Sequence, residues 1–287
     1  MNRTSRAALA GLLLLAAATL VAPALASADP LAIGDVLALR LVPPLARDAA
    51  GHFHVLGTDR FGRDLAVRMM LAGRLSLLVG VLGSVLSGAL GTALGLVSGW
   101  RGDTLLDRTI TAVADVLLAV PRLVLLLVAA SLWRPGATTT VAVLAATGWM
   151  GVARLVRGEV LGARTTAWVD AATALGVAPP RLLWRHLLPN VVGPAIVATT
   201  LGVGNAILLE SGLSFLGLGI QPPAPSWGNM IAGGRDLIVV APWVAIAPGL
   251  ALVATVLCCT LLGDALGDRL RGGAAGARGA RGIAERA

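Results

Sequence analysis

The chain has 287 residues, 56% of them hydrophobic and only 13% charged, with a mean hydropathy of +0.84. So apolar a composition leaves too little polar surface for a soluble globule and excludes one. A net charge of +8 and a pI near 11.4 would suit a nucleic-acid binder if the chain were soluble, but these arginines sit between apolar runs, where they mark membrane topology and imply no nucleic-acid partner.

A membrane-spanning helix needs about 20 apolar residues, and the spacing of the runs predicts an all-α, polytopic membrane protein with about six transmembrane helices. Residues 1–28 carry Arg3 and Arg6, an apolar run from Ala7, and Ala26-Ser27-Ala28, a pattern shared with secretory signal peptides. The run is longer than the usual signal core of about 7–15 residues, which favours an uncleaved first transmembrane helix, with the cleaved signal as the alternative. Residues 29–74, with His52, His54, Asp59 and Asp64 among many charges, are expected to form an external loop with an amphipathic segment. Its arginines run against the positive-inside pattern, although several aspartates offset them.

The domain of residues 75–265 begins with a span over 75–100, in which Gly80, Ser84, Gly88, Gly91, Gly95 and Gly99 form a row of small residues for close helix packing. An inside turn with Arg101, Asp103, Asp107 and Arg108 leads to a third span ending near Trp133. A turn at Arg134-Pro135-Gly136 precedes a fourth span over 138–156. The fifth span covers 191–213, an outside loop holds Pro222 to Trp227, and the sixth span covers 242–262. Adjacent Cys258 and Cys259 point about 100° apart on a helix and predict neither a disulfide nor a metal site. Residues 266–287, rich in Gly, Ala and Arg, are expected to be a disordered inside tail. The remaining arginines place both termini on the cytoplasmic side.

The inside segment 157–190 is too long for a simple connection. It reads as a helix over 157–175, stopped by Gly176 at a position requiring φ > 0. A second short helix over 181–188 is begun by Pro179-Pro180 and ended by Pro189. In the second helix Leu183 and Leu187 share one side while Arg181 and Arg185 share another, an arrangement suited to docking on a neighbour.

Asp170-Ala171-Ala172, Gly176 and His186-Leu187-Leu188-Pro189-Asn190 resemble the cytoplasmic EAA loop of ATP-binding-cassette importer permeases. His54-Val55-Leu56-Gly57-Thr58-Asp59 with Gly62-Arg63-Asp64 resembles their dipeptide, oligopeptide and nickel branch. So do Gly148-Trp149 with Ala153-Arg154-Leu155-Val156-Arg157, and Gly212 to Gly219 with Pro225 to Met230. The resemblance runs over about residues 54–268 and implies the type I importer permease fold in an inner (plasma) membrane. It implies a multi-pass subunit that translocates di- or oligopeptides, or nickel chelates, delivered by an external substrate-binding protein. The implied partners are two ATP-binding-cassette subunits, a homologous permease subunit and membrane lipid. Asp170, Ala171, Ala172, Gly176, Arg181, Arg185, His186 and Pro189 would form the coupling loop to the ATPase. The subunit would be no enzyme and would carry no cofactor, with ATP and magnesium on the partner subunits. The absence of a GxxxxGK[ST] phosphate loop agrees with that. Two departures stand out: Asp170 replaces the family's usual Glu, and Val55 stands where Pro is common. The Pro179-Pro180 pair is also unusual and bears on the entry angle of the coupling helix.

Ionisable residues inside membrane helices are costly and draw attention to a polar pathway. Glu210 either lines the conduit or meets water or an arginine at a helix end; Asp115 is read the same way, its nearness to the inside turn favouring a structural role. Pro222 to Trp227 would contact the binding protein, or Trp227 would anchor at the membrane interface. Two other classes compete. An intramembrane metal-dependent enzyme could use His52, His54, Asp59 and Asp64, but these lack HxxxH or HExxH spacing. A passive channel or ion-coupled carrier would have no need of the paired inside helices.

Overall fold

In the computed structural model the backbone is described for residues 3–25 and 36–284, and side chains for 5–21, 36 and 39–270. The helices in chain order are α1 (Arg3–Leu25), α2 (Val36–Leu39), α3 (Leu65–Trp100), α4 (Leu105–Ala119), α5 (Arg122–Ser131), α6 (Ala137–Arg164), α7 (Ala167–Ala174) and α8 (Pro179–Arg181). A π-helical turn (Leu182–Leu187) joins α8 to α9 (Leu188–Phe215), and α10 (Trp227–Gly234) and α11 (Trp243–Ala284) follow. Strands β1 (Ala46–Arg47) and β2 (Phe53–His54) pair antiparallel, Ala46 opposite His54.

Among the described residues four stretches are long and apolar enough to cross a membrane: α3, α6, α8 through α9, and Trp243–Leu270 of α11. A fifth candidate, α4 with α5, is bent by 96° and is not the straight third span that hydropathy suggests. Pro121 is the cause. Its ring disfavours helical backbone at Val120, which is extended at φ −92°, ψ 133°. The described part of α1 is a shorter apolar helix, Ser5–Val21. It packs on α3 and α11, with Thr19 against Gly73 and Cys258 beside Gly11. Ala26-Ser27-Ala28 lies outside the described residues.

α3 is the hub, with α6, α9 and α1 packed around it. Its composition is the reverse of a soluble amphipathic helix: Leu78, Leu82, Leu86 and Leu90 point outward while glycines and serines point inward. In lipid no hydrophobic force draws helices together, so close backbone approach supplies dispersion contact instead. The row of small residues read from the sequence therefore packs within the chain, against α6 and α9. α3 also starts ten residues before the expected span, and at 36 residues it rises roughly 54 Å, beyond the hydrocarbon core.

Between α2 and α3 the structure has a hairpin and tight turns in place of an amphipathic segment. Thr58, fully buried, donates to Leu39 O at 2.7 Å and accepts from Val42 N at 2.8 Å. Asp59 accepts from the backbone N–H of Phe61 and Arg63 and from Arg63 Nε. Asp64 caps α3 through Val67 N. Gly57 and Gly62 adopt φ of +78° and +76°. The Gly-Thr-Asp and Gly-Arg-Asp stretches are thus the polar joints of a loop docked on α3. Composition could not distinguish such a loop from an amphipathic helix, because its order comes from side chain to backbone bonds between distant residues.

His54 lies between two carboxylates, with Nδ1 2.7 Å from Asp64 Oδ2 and Nε2 3.3 Å from Asp48 Oδ2. Burial alone would push its pKa down, but the two carboxylates prevail and raise it above the ordinary value. Asp48 moves the other way: burial opposes ionisation, but the His52 backbone N–H and the His54 and His52 rings hold its carboxyl at about 2. A raised histidine pKa contributes stability below about pH 6.5 that is lost as pH rises through the folded value. The Asp48 contribution is present above about pH 4 and is lost on acidification toward pH 2. Amide exchange of residues 45–54 should therefore quicken as pH rises through the raised His54 value, after correction for intrinsic rates. His54→Gln should flatten that rise, and an unchanged profile in the variant would remove histidine from the explanation.

The backbone of α11 continues as helix to Ala284, through the Gly-, Ala- and Arg-rich stretch for which composition predicts disorder. Alanine and arginine are strong helix formers and continue a helix already nucleated upstream.

Candidate functional site

The segment after α6 departs from the sequence reading in several respects. α6 continues to Arg164 and breaks at Thr165, so the expected single helix over 157–175 is two helices. Arg164 Nη1 donates to Trp100 O at 3.0 Å and ties the break to the end of α3. α7 then ends as expected. Gly176 has φ +78°, its N–H reaches Thr173 O at 3.0 Å, and Val177 N reaches Ala172 O at 3.1 Å, the paired bonds of a Schellman cap.

The second helix is not ended by Pro189. α8, the π turn and α9 form one continuous stretch, and Pro189 falls in the first turn of α9, where its missing N–H is tolerated. The π turn is marked by Leu188 N bonding Leu183 O. It carries more residues per turn than an α-helix, so positions five apart share a face. Leu182 and Leu187 are consequently the buried pair, and Leu183 is only half-buried. An α-helical wheel, with its shorter repeat, picks Leu183 and Leu187.

Val169, Leu182 and Leu187 form a small core with Trp100, Ala163, Ala172 and Val177. It clamps α7 to the ends of α3 and α6. Of the coupling-loop residues, Asp170, Ala171, Gly176, Arg181, Arg185, His186 and Pro189 are exposed, while Ala172 is half-buried on the clamped side. The carbonyl of His186 accepts from Asn190 Nδ2 at 2.7 Å. Leu175, 84% exposed, and Trp184, 60% exposed, stand out beside these residues, with Trp168 also exposed. Sequence reasoning missed them because an apolar residue in so apolar a chain carries no signal until its exposure is known.

One polar link joins this end of the bundle to α4. Arg157 donates from Nε and Nη2 to Asp107 at 2.7 and 2.8 Å. Asp107 also accepts from Ser98 Oγ and from Asp103 N. Asp107 is therefore a buried part of α4, not a turn residue. Asp115 pairs with Arg154, both half-exposed, beside a cleft with Thr111 and Arg157.

Glu210 is enclosed within the bundle in this conformation. It is fully buried and accepts from Ser214 Oγ at 2.7 Å and Ser211 Oγ at 3.4 Å, with the hydroxyls of Ser76 and Ser226 close by. In this conformation it faces a nest of hydroxyls that joins α9, α3 and the start of α10. Trp227 is neither an interfacial anchor nor an external contact. It is 1% exposed, and its Nε1 donates to Met69 O at 3.2 Å. Pro222 and Pro223 line a cleft of about 400 Å³ together with Asp59, Arg60, Arg63 and Arg68.

The solved structures and curated proteins compared with this chain agree with that architecture. An inward-facing MetNI methionine ABC transporter chain superposes with a TM-score of 0.53 at 20% identity, over 69% of this chain and 95% of the other; at that identity it supports the fold alone. A putative peptide transport system permease protein of Brucella abortus is 37% identical over 94% of this chain and 88% of its own length. The oligopeptide transport system permease protein OppC of Haemophilus influenzae is 37% identical over 76% of this chain and 70% of its own. The model of the binding-protein-dependent transport system inner membrane component matches residues 91–272. With its long lipid-facing helices and the clamped α7 segment, the chain belongs to this family, the transmembrane permease subunits of ATP-binding-cassette importers.

Proposed function

We propose that this subunit carries peptides across the inner membrane and that α7, with its Gly176 cap and the following π turn, is where an ATP-hydrolysing subunit grips it. The observation that carries the reading is the exposed ridge of Trp168, Asp170, Leu175 and Trp184 on a segment held rigidly by Val169, Leu182 and Leu187. Apolar side chains exposed at a helix end normally mark a protein contact. The clamp makes the segment a lever: a push on α7 passes to α3 and α6, and the unbroken path through the π turn passes it to α9. Two ATP-binding-cassette subunits, a second permease of the same fold and an external binding protein complete the assembly. ATP and magnesium reside on the partners, and this chain needs neither a catalytic residue nor a cofactor of its own.

Both termini and α7 then lie in the cytoplasm, and the cleft of Arg60, Arg63, Pro222 and Pro223 faces the binding protein on the other side. Peptide is the cargo indicated by the relatives' names, none of which specifies nickel. Leu175→Cys should cross-link to a cysteine in the groove of the ATPase subunit, with the yield changing between ATP-bound and nucleotide-free states. Labelling of Leu175→Cys from the external side of sealed vesicles would overturn both the orientation and the docking assignment.

A further inference from the structure

Midway along the bundle, α3, α6 and α9 part to leave a cleft of about 380 Å³ walled by Ser84, Ser87, Gly148, Thr199 and Asn205, with Arg122 reaching in from the bend at Pro121. The Nε of Arg122 is buried and has no hydrogen-bond partner among the described residues. A Cβ on Gly148 would lie 2.8 Å from a terminal nitrogen of Arg122 and 2.7 Å from Ser87 Cβ, so the absence of a side chain there leaves the guanidinium its room. No aspartate or glutamate lines the cleft.

The serines do not neutralise the charge. Ser84 Oγ donates to Thr199 O at 2.7 Å and Ser87 Oγ donates to Ser84 O at 2.9 Å, which commits both hydroxyl protons to backbone. The charged donor left facing the cleft is the Arg122 fork, beside the Thr199 hydroxyl and the amide of Asn205, whose side chain is exposed. A cation in a membrane helix is costly and is normally paired. One left with an open donor beside a polar cleft is poised for an anion, and the planar guanidinium fork matches a carboxylate.

We infer that Arg122, with Asn205, forms a transient subsite for a carboxylate midway along the translocation path, filled by the free carboxyl terminus of the cargo. The identity of the cargo rests on the peptide reading above, whereas the anion subsite rests on the cleft itself. That no described residue of this chain pairs with Arg122 suits a transport site, which must release what it binds.

Two measurements on the reconstituted complex test it. Uptake of tri-alanine is compared with uptake of its C-terminal amide; any preference set by the binding protein is common to all variants. Arg122→Gln should lower the acid-to-amide ratio about tenfold and Arg122→Lys should give an intermediate value. An unchanged ratio would overturn the subsite. In the second arm, Asn205→Cys is labelled with anionic and cationic methanethiosulfonates. Arg122→Gln should cut the anion-to-cation rate ratio about tenfold, and acetate should slow labelling only where Arg122 is present. A rate ratio and an acetate effect that are the same with and without Arg122 would overturn the proposal, and dissociation of the permease pair that is rescued by neutralising an acid on the partner would overturn it by assigning Arg122 to subunit pairing. If the wild type carries neither tri-alanine form, the peptide reading fails while the labelling arm still decides the subsite.

Discussion

Gly176→Val is expected to abolish most of the stimulation of ATP hydrolysis by loaded binding protein, a fall of about tenfold or more, while the protein still inserts and assembles. Gly176 sits at φ +78°, where a β-branched residue costs on the order of 1–3 kcal/mol. A Cβ there meets nothing within 4 Å, so the penalty is purely one of backbone conformation. It is relieved by abandoning the Schellman bonds to Thr173 and Ala172, which swings Leu175 and the end of α7 out of register with the π turn. Gly176→Asn is the control, since asparagine tolerates the left-handed region and should keep most of the stimulation. Stimulation at the wild-type level in the valine variant would separate the cap from coupling.

The largest effect on folding is expected at the α3 and α6 contact. A Cβ on Gly95 would stand 2.5 Å from Ala153 O and 2.8 Å from Val156 Cβ, and a backbone carbonyl inside a helix cannot turn aside. Gly95→Leu should therefore force the helices apart and cost about 3 kcal/mol or more, read as a lower melting temperature in detergent and loss of assembled complex. Gly158→Ala, where a Cβ meets nothing within 4 Å, should be neutral or stabilising by up to about 1 kcal/mol. Equal melting temperatures for the two variants would show that close approach at Gly95 does not hold the bundle together.

Much of this protein is legible in its sequence. Apolar runs long enough to span lipid have few other uses, so the all-α membrane class follows from composition and spacing. The small-residue row of α3 and the stop at Gly176 are equally local signals: each depends on what a missing Cβ permits, which residue identity states directly. The resemblance carried by Asp170-Ala171-Ala172 and the Gly-Thr-Asp loop is legible as residue identity at fixed spacing, although the loop's order comes from bonds of Thr58 to Leu39 and Val42, well away along the chain.

What the tertiary structure alone decided is which way the polar groups face and where the helices break. Hydropathy gave a straight third span, but Pro121 bends it and carries Arg122 into the bundle. A helical wheel chose Leu183, but the π turn rotates Leu182 into the core. Trp227 reads as a surface feature because aromatic residues often anchor at interfaces, yet it is enclosed by Ser76 and Met69, far away in sequence. Periodicity follows from bonds between near neighbours and can be read along the chain. Burial is set by whichever distant segment arrives, and that is a property of the packed helices.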